Sequence, residues 1–147
     1  MLAMQCDYRI MTNNPKMKIG LNETQLGIAA PFWLGELLVR LIGIRQGEMA
    51  LSLGTLFTSE EALAKGLVDE LLEKEDVLPA AYKHAAKWGA IPEKARLCSK
   101  MLVRHQYIEE LKKARSMDTK WFADYILDEG VQKNIDGYLK ALSKPKK

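Results

Sequence analysis

A single carboxylate in apolar company is the feature of this 147-residue chain best suited to chemistry. Glu23 stands between Gly20 and Gly27 in the stretch Ile19-Gly20-Leu21-Asn22-Glu23-Thr24-Gln25-Leu26-Gly27-Ile28, and Ala29-Ala30-Pro31-Phe32-Trp33 follows. Its neighbours Ile19, Leu21, Leu26, Ile28, Phe32 and Trp33 are apolar. Such surroundings disfavour the ionised form of a carboxylate. A carboxylate so situated suits moving a proton to and from carbon. The competing reading is a turn or N-cap glutamate that happens to adjoin core residues, and the residue types alone do not choose between the two. Phe32 and Trp33 likewise read equally well as core packing or as the wall of an apolar pocket.

Few other residues compete for a chemical role. His84 and His105 are far apart and belong to no ligand motif. Cys6 and Cys98 show neither disulfide nor metal spacing and point to a reducing compartment. There is no phosphate-binding Gly-rich loop, no Cys cluster and no Ser-His-Asp arrangement.

The elements that must position Glu23 are short at first and then helical. Met1 to Gln5 reads as the end of a helix, Tyr8 to Met11 and Lys16 to Ile19 as strands, and Asn13-Asn14-Pro15 as the turn between them. Pro31 suits a first helical position, and the helix Phe32 to Ile42 stops at Gly43. Arg45 to Leu53 is a second helix, stopped by Gly54, and Leu56-Phe57 is a brief extended segment. Ser59 opens a short helix with Glu60 and Glu61 in its first turn. Leu67 to Leu71 reads as a strand, followed by a helix through Trp88. From Pro92 to about Leu142 the pattern is helical, with breaks expected near Ser116 and Gly130. Leu97, Met101, Ile108 and Leu111, then Trp121, Phe122, Tyr125 and Ile126, recur at helical spacing and read as a layer covering its own core.

Composition excludes several function classes. The hydrophobic fraction of 48% and charged fraction of 28% are those of an ordinary globular protein. A net charge of +3 is too small and too scattered to argue for nucleic acid. No apolar run is long enough to span a bilayer. The N-terminus lacks the Arg- and Ser-rich pattern of a transit peptide, and the end Ser143-Lys144-Pro145-Lys146-Lys147 is a basic tail and not a Ser-Lys-Leu peroxisomal address.

Three blocks carry a family resemblance: Cys6-Asp7-Tyr8-Arg9-Ile10, the Glu23 stretch from Ile19 to Ile28, and Ala30-Pro31-Phe32-Trp33-Leu34. Ile42-Gly43, Ala50-Leu51, Leu53-Gly54, Ala62-Leu63 and Gly66-Leu67-Val68-Asp69 continue the register. Together they resemble the crotonase (enoyl-CoA hydratase/isomerase) superfamily, and within it the mitochondrial Δ3,Δ2-enoyl-CoA isomerase branch. The resemblance is specific up to about Asp69 and looser beyond. It implies an α/β chain with a partial crotonase-like (ClpP/crotonase) fold, a few short strands followed by a mostly helical C-terminal region. Residues 1–91 would be the C-terminal part of the crotonase core. Residues 92–147 would be a helical region serving oligomerisation and pocket cover.

The implied activity is isomerisation of a 3-enoyl-CoA to the trans-2-enoyl-CoA, as in β-oxidation of unsaturated fatty acids. One carboxylate, aligned with Glu23, would remove a proton from C2 and return it at C4, while backbone N–H groups stabilise the enolate. Leu21, Leu26, Phe32 and Trp33 would line the acyl site. No metal or redox cofactor is implied, because coenzyme A is part of the substrate; Lys94, Lys100 and Arg104 are candidates to face its phosphates, with solvated lysines as the alternative. The family implies a homotrimer for the full-length protein and the mitochondrial matrix as its compartment. Asp7 and Arg9 are expected to be structural.

Family members are roughly twice as long, and their first half carries the oxyanion-hole donors in a Gly-rich turn ahead of the Cys-Asp pair. The expectation is therefore a C-terminal half. Hydratases of the superfamily carry a second carboxylate five residues before that Cys; Met1 stands there here, which with Phe32-Trp33 favours an isomerase over a hydratase. A catalytically inactive fragment acting in binding or assembly is the alternative from another class. Loss of one oxyanion donor alone costs ~10²–10³-fold in rate.

Overall fold

The computed structural model describes residues 2–143, so Met1 and the tail from Lys144 lie outside it. The element order is α1 (Leu2–Gln5), β1 (Ile10–Thr12), β2 (Lys18–Gly20), a 3-10 helix (Glu23–Leu26), α2 (Phe32–Ile42), α3 (Ile44–Leu53), β3 (Leu56–Thr58), α4 (Ser59–Ala64), β4 (Glu70–Leu72), α5 (Lys74–Gly89), α6 (Glu93–Ile126) and α7 (Glu129–Leu142). Short strands early and helices late agree with the expected class. No helix among the described residues is long and apolar enough to cross a membrane. The described residues form two compact units, one of residues 2–18 with 58–115, the other of residues 19–57 with 116–143.

In the first unit β1 and β4 pair in parallel, with Ile10 opposite Glu70, Met11 opposite Leu71 and Thr12 opposite Leu72. Arg9 fixes this register. Its backbone N–H and Nε both donate to Asp69 Oδ2, at 2.8 and 3.0 Å, and its Nη2 donates to Asp69 Oδ1 at 3.1 Å. Such a fork is geometrically selective, and Lys would not replace it. Leu67 and Val68 are buried and wrap the end of α4, both donating their N–H to Ala62 O. The strand therefore starts at Glu70 and not at the expected Leu67. A capping box starts α4: Glu61 N donates to Thr58 Oγ1, and Thr58 N donates to Glu61 Oε2. The α5 side chain His84 stacks on Tyr8 with ring centroids 3.9 Å apart, and both reach Glu70 Oε2. Asp7 accepts from Lys100 Nζ at 2.7 Å and Arg104 Nη2 at 3.0 Å, tying α6 to the segment that enters β1.

In the second unit α2 buries Leu34, Leu37, Leu38 and Ile42, the stripe expected of an amphipathic helix. Pro31 sits just before α2, one position earlier than expected, and Gly43 joins α2 to α3. The two helices approach so closely at Gly47 that a Cβ there would lie 2.8 Å from Val39 Cα. Only glycine fits, at a helix-propensity cost of about 1 kcal/mol.

The C-terminal region is helical as expected but departs from expectation at Ser116. Ser116 does not break α6, which runs unbroken from Glu93 to Ile126. The break expected near Gly130 is present, just before it at Leu127–Asp128, and Gly130 lies inside α7. Asp128 explains this: its Oδ1 accepts from Gly130 N and Val131 N and caps the new helix. The expected cover is also incomplete, since Leu97, Met101 and Trp121 are exposed and Tyr107 is the buried residue of α6.

Gly47→Ala tests the α2–α3 contact. Alanine ordinarily stabilises a helix interior, but here overpacking should lower the urea midpoint by an equivalent of about 1–3 kcal/mol. An unchanged or raised midpoint would show that the helices part freely. Asp7 gives a pH test. Its hydrogen bond to Lys100 holds its carboxyl below the usual value of 3.8, with Arg104 and Arg96 acting the same way. Its contribution is complete above 3.8 and is lost as pH falls through the folded value. Thermal melts from about pH 5 to about pH 2.5 should therefore fall less steeply in Asp7→Asn than in the parent chain.

Candidate functional site

Glu23 is the first residue of the 3-10 helix, and its two successors fasten that turn to α3. Thr24 Oγ1 donates to Leu51 O at 2.5 Å, and Gln25 Nε2 donates to Leu53 O at 3.0 Å. Both acceptors are carbonyls in the last turn of α3, which have no partner within the helix. Gly27 closes the turn with φ +74°, a left-handed conformation that glycine adopts without penalty. The Asn134 side chain of α7 fills the space beside Gly27, and Tyr125 OH donates to Gly27 O at 3.5 Å.

The turn opens onto a cavity of about 380 Å³. Leu21, Glu23 and Thr24 form one side, and Ala29, Ala30 and Pro31 lead from it into α2. Phe32, Gly35, Glu36 and Val39 contribute one face of α2, and Leu51 and Ser52 come from α3. Asp118 fixes the start of α2 by accepting from Phe32 N at 3.0 Å.

The structure thus brings together Glu23, Leu21 and Phe32 of the expected site. Leu26, on the 3-10 helix, and Trp33, on α2, are half-buried and are not among the lining residues of this cavity. Lys100 and Arg104, candidates for phosphate contact, are held by Asp7, while Lys94 is exposed. Met1, where hydratases carry a second carboxylate, lies outside the described residues. Glu36 was not anticipated, although Phe32, Gly35, Glu36 and Val39 follow the i, i+3, i+4, i+7 pattern of one helix face. Leu51 and Ser52 carry no sequence signal, because the fold of α3 against α2 delivers them.

One property separates Glu23 from the other acidic groups described above. Its Oε2 is buried and has no hydrogen-bond partner. An unpartnered buried oxygen costs about 1–3 kcal/mol, more when charged. Asp7, Asp69 and Glu70 are each satisfied by cations or hydroxyls. Glu23 also lines the mostly apolar cavity, and a carboxylate with an oxygen that no donor holds is chemically able to take a proton from a group that enters. Among the described residues no three His, Cys, Asp or Glu side chains gather as metal ligands.

Comparison with known proteins gives a consistent family. Residues 1–145 match the family model described as enoyl-CoA hydratase/isomerase. Enoyl-CoA delta isomerase 1, mitochondrial, from Mus musculus is 43% identical over 146 residues, covering 99% of this chain and 50% of the relative. The crystal structure of human mitochondrial delta3-delta2-enoyl-CoA isomerase superposes with a TM-score of 0.91 at 44% identity, covering 96% of this chain and 55% of that one. Carnitinyl-CoA hydratase from Mycobacterium avium shares the fold, with a TM-score of 0.82 at 18% identity over 95% of this chain and 54% of its own. The chain spans about half the length of the curated relatives it matches.

Proposed function

The chain belongs to the enoyl-CoA hydratase/isomerase family, and on that footing we propose that it carries the base of a Δ3,Δ2-enoyl-CoA isomerase. The observation that carries the reading is the buried, unpartnered Oε2 of Glu23 at the edge of an apolar cavity. Glu23 takes the C2 proton of a 3-enoyl-CoA, and the electrons move into the thioester as an enolate. As the enolate collapses, the double bond settles between C2 and C3, and Glu23 returns the proton at C4. The product is the trans-2-enoyl-CoA, and no water is added. Leu21, Phe32 and Val39 line the acyl chain, with Leu26 and Trp33 supporting the turn and helix behind them.

The backbone donors for the thioester oxygen would come from the segment that precedes the Cys-Asp pair in the relatives. It follows that the 147 residues depend on that segment for rate, each donor being worth about 10²–10³-fold. The working form is proposed to be a homotrimer acting on unsaturated fatty acyl-CoA in the mitochondrial matrix. The exposed apolar side chains of the C-terminal helices, with Leu102 86% and Met117 74% exposed, then serve as surfaces to be covered.

The decisive variant is Glu23→Gln in the chain joined to the N-terminal half of the human relative. Gln keeps the shape but cannot take the proton, so turnover of 3-hexenoyl-CoA should disappear while helix content is retained. Near-normal turnover would remove Glu23 from the mechanism. The 147-residue chain by itself should show little turnover and should elute from size exclusion as associated species. A monodisperse monomer with strong activity would overturn both expectations.

A further inference from the structure

The cavity beside Glu23 holds a second carboxylate. Glu36 lines it from α2, one turn along the same helix face as Phe32. Phe32, Gly35, Glu36 and Val39 make up the α2 wall, which runs about 10 Å along the helix axis. The Glu36 side chain is 28% exposed, so water reaches it, whereas Glu23 Oε2 is buried. Arg40 Nη1 stands 4.0 Å from Glu36 Oε1, an ion pair along the helix that is too long for a hydrogen bond. Gly35 leaves room beside Glu36. A Cβ there would touch the Leu51 methyl groups at 3.4 and 3.8 Å, which are ordinary contacts. The packing of α2 on α3 therefore does not demand a glycine at this position, as it does at Gly47. Glycine inside a helix nonetheless costs stability relative to alanine. Open space at Gly35 and a solvated carboxylate at Glu36 thus adjoin on one wall of the cavity.

We propose that Glu36 is a specificity-determining residue, selecting for acyl chains too short to press methylene groups against its carboxylate in the room that Gly35 keeps open. This rests on the reading of the cavity as the acyl site. Each methylene that leaves water for an apolar wall gains about fourfold in affinity. A methylene laid on Glu36 gains nothing of the kind, because it must displace the water that solvates the carboxylate, and burying a charge is costly. Lengthening the chain therefore strengthens binding along Leu21, Phe32 and Val39 and weakens it at Glu36. Glu36 takes no proton in this scheme. Its influence falls on KM, as for an interaction made equally in the ground state and the transition state.

The test uses the chain joined to the N-terminal half of the human relative, with 3-hexenoyl-, 3-octenoyl- and 3-decenoyl-CoA as substrates. In the parent, kcat/KM should level off or fall from the hexenoyl to the decenoyl chain. Glu36→Leu should raise the decenoyl-to-hexenoyl ratio of kcat/KM by about tenfold or more, through KM. Glu36→Gln, which keeps the shape but removes the charge, should give an intermediate ratio. Gly35→Ala should lower the ratio although it adds an apolar methyl, because it takes up the room. Its urea midpoint should not fall, which separates this effect from a folding defect. A merely structural role for Glu36 would change all the substrates alike and leave the ratio where it was. The proposal fails if the ratio in folded Glu36→Leu matches the parent, or if the change lies in kcat and is shared by every chain length. Saturated hexanoyl- and decanoyl-CoA, titrated calorimetrically in a Glu23→Gln background, read the same selectivity without turnover. Glu36→Leu should shift the ratio of their Kd values in the same direction. Near-normal turnover by Glu23→Gln would remove the isomerase base and leave this ratio standing, whereas lost turnover with an unchanged ratio would remove Glu36 alone.

Discussion

The candidate site depends on a hydrogen-bonding need at the end of a helix. The last carbonyls of α3 have no partners inside the helix, and Thr24 and Gln25 meet two of them, at Leu51 and Leu53. Those two residues directly follow Glu23 in sequence, so the same bonds that finish α3 hold the turn that carries the carboxylate. The packing of α2 against α3 serves this arrangement. Gly47 lets α3 lie close against α2, and α2 in turn supplies Phe32, Glu36 and Val39 opposite the end of α3. A glutamate on a free loop would sample many positions; here the two residues after it are bonded to the backbone of a packed helix.

Asp69, Asp7 and Glu70 bind the fold together, and Glu23 stands apart from them. Asp69 grips Arg9 and sets the β1–β4 register, and Asp7 draws Lys100 and Arg104 of α6 together. Glu70 joins Tyr8 to His84. Tyr8 responds in turn: burial, together with its bond to Glu70, pushes its hydroxyl above the usual tyrosine range. Glu23 has a buried oxygen with no such partner. Catalytic acids and bases are often left unsatisfied in this way, because a permanent partner would compete with the substrate.

Local punctuation made the central part of the fold legible in the sequence. Pro31, Gly43 and Gly54 bracket α2 and α3 within a residue of their observed ends, since each residue acts on its own neighbourhood. Glu23, Leu21 and Phe32 were legible for the same reason, being close in the chain as well as in space. The helical tail was less so. Ser116 is a weak helix former, but one such residue does not interrupt a helix of 34 residues. The true break needed the Asp128 side chain to cap two backbone N–H groups, a choice made by geometry and not by propensity. The second side of the cavity, Leu51 and Ser52, comes from tertiary packing that no local pattern encodes.

The support of the Glu23 turn by Tyr125 and Asn134 has a consequence for the order of events on the ribosome. The bond from Tyr125 and the packing of Asn134 reach Gly27 only after roughly a hundred more residues have been made, about 5–20 s later at ordinary elongation rates. During that interval α2 and α3 can already pair, because their sequences are adjacent, while the turn that carries the carboxylate lacks its outer bracing. The turn that carries Glu23 is thus braced well after it is made, and α7 closes its support.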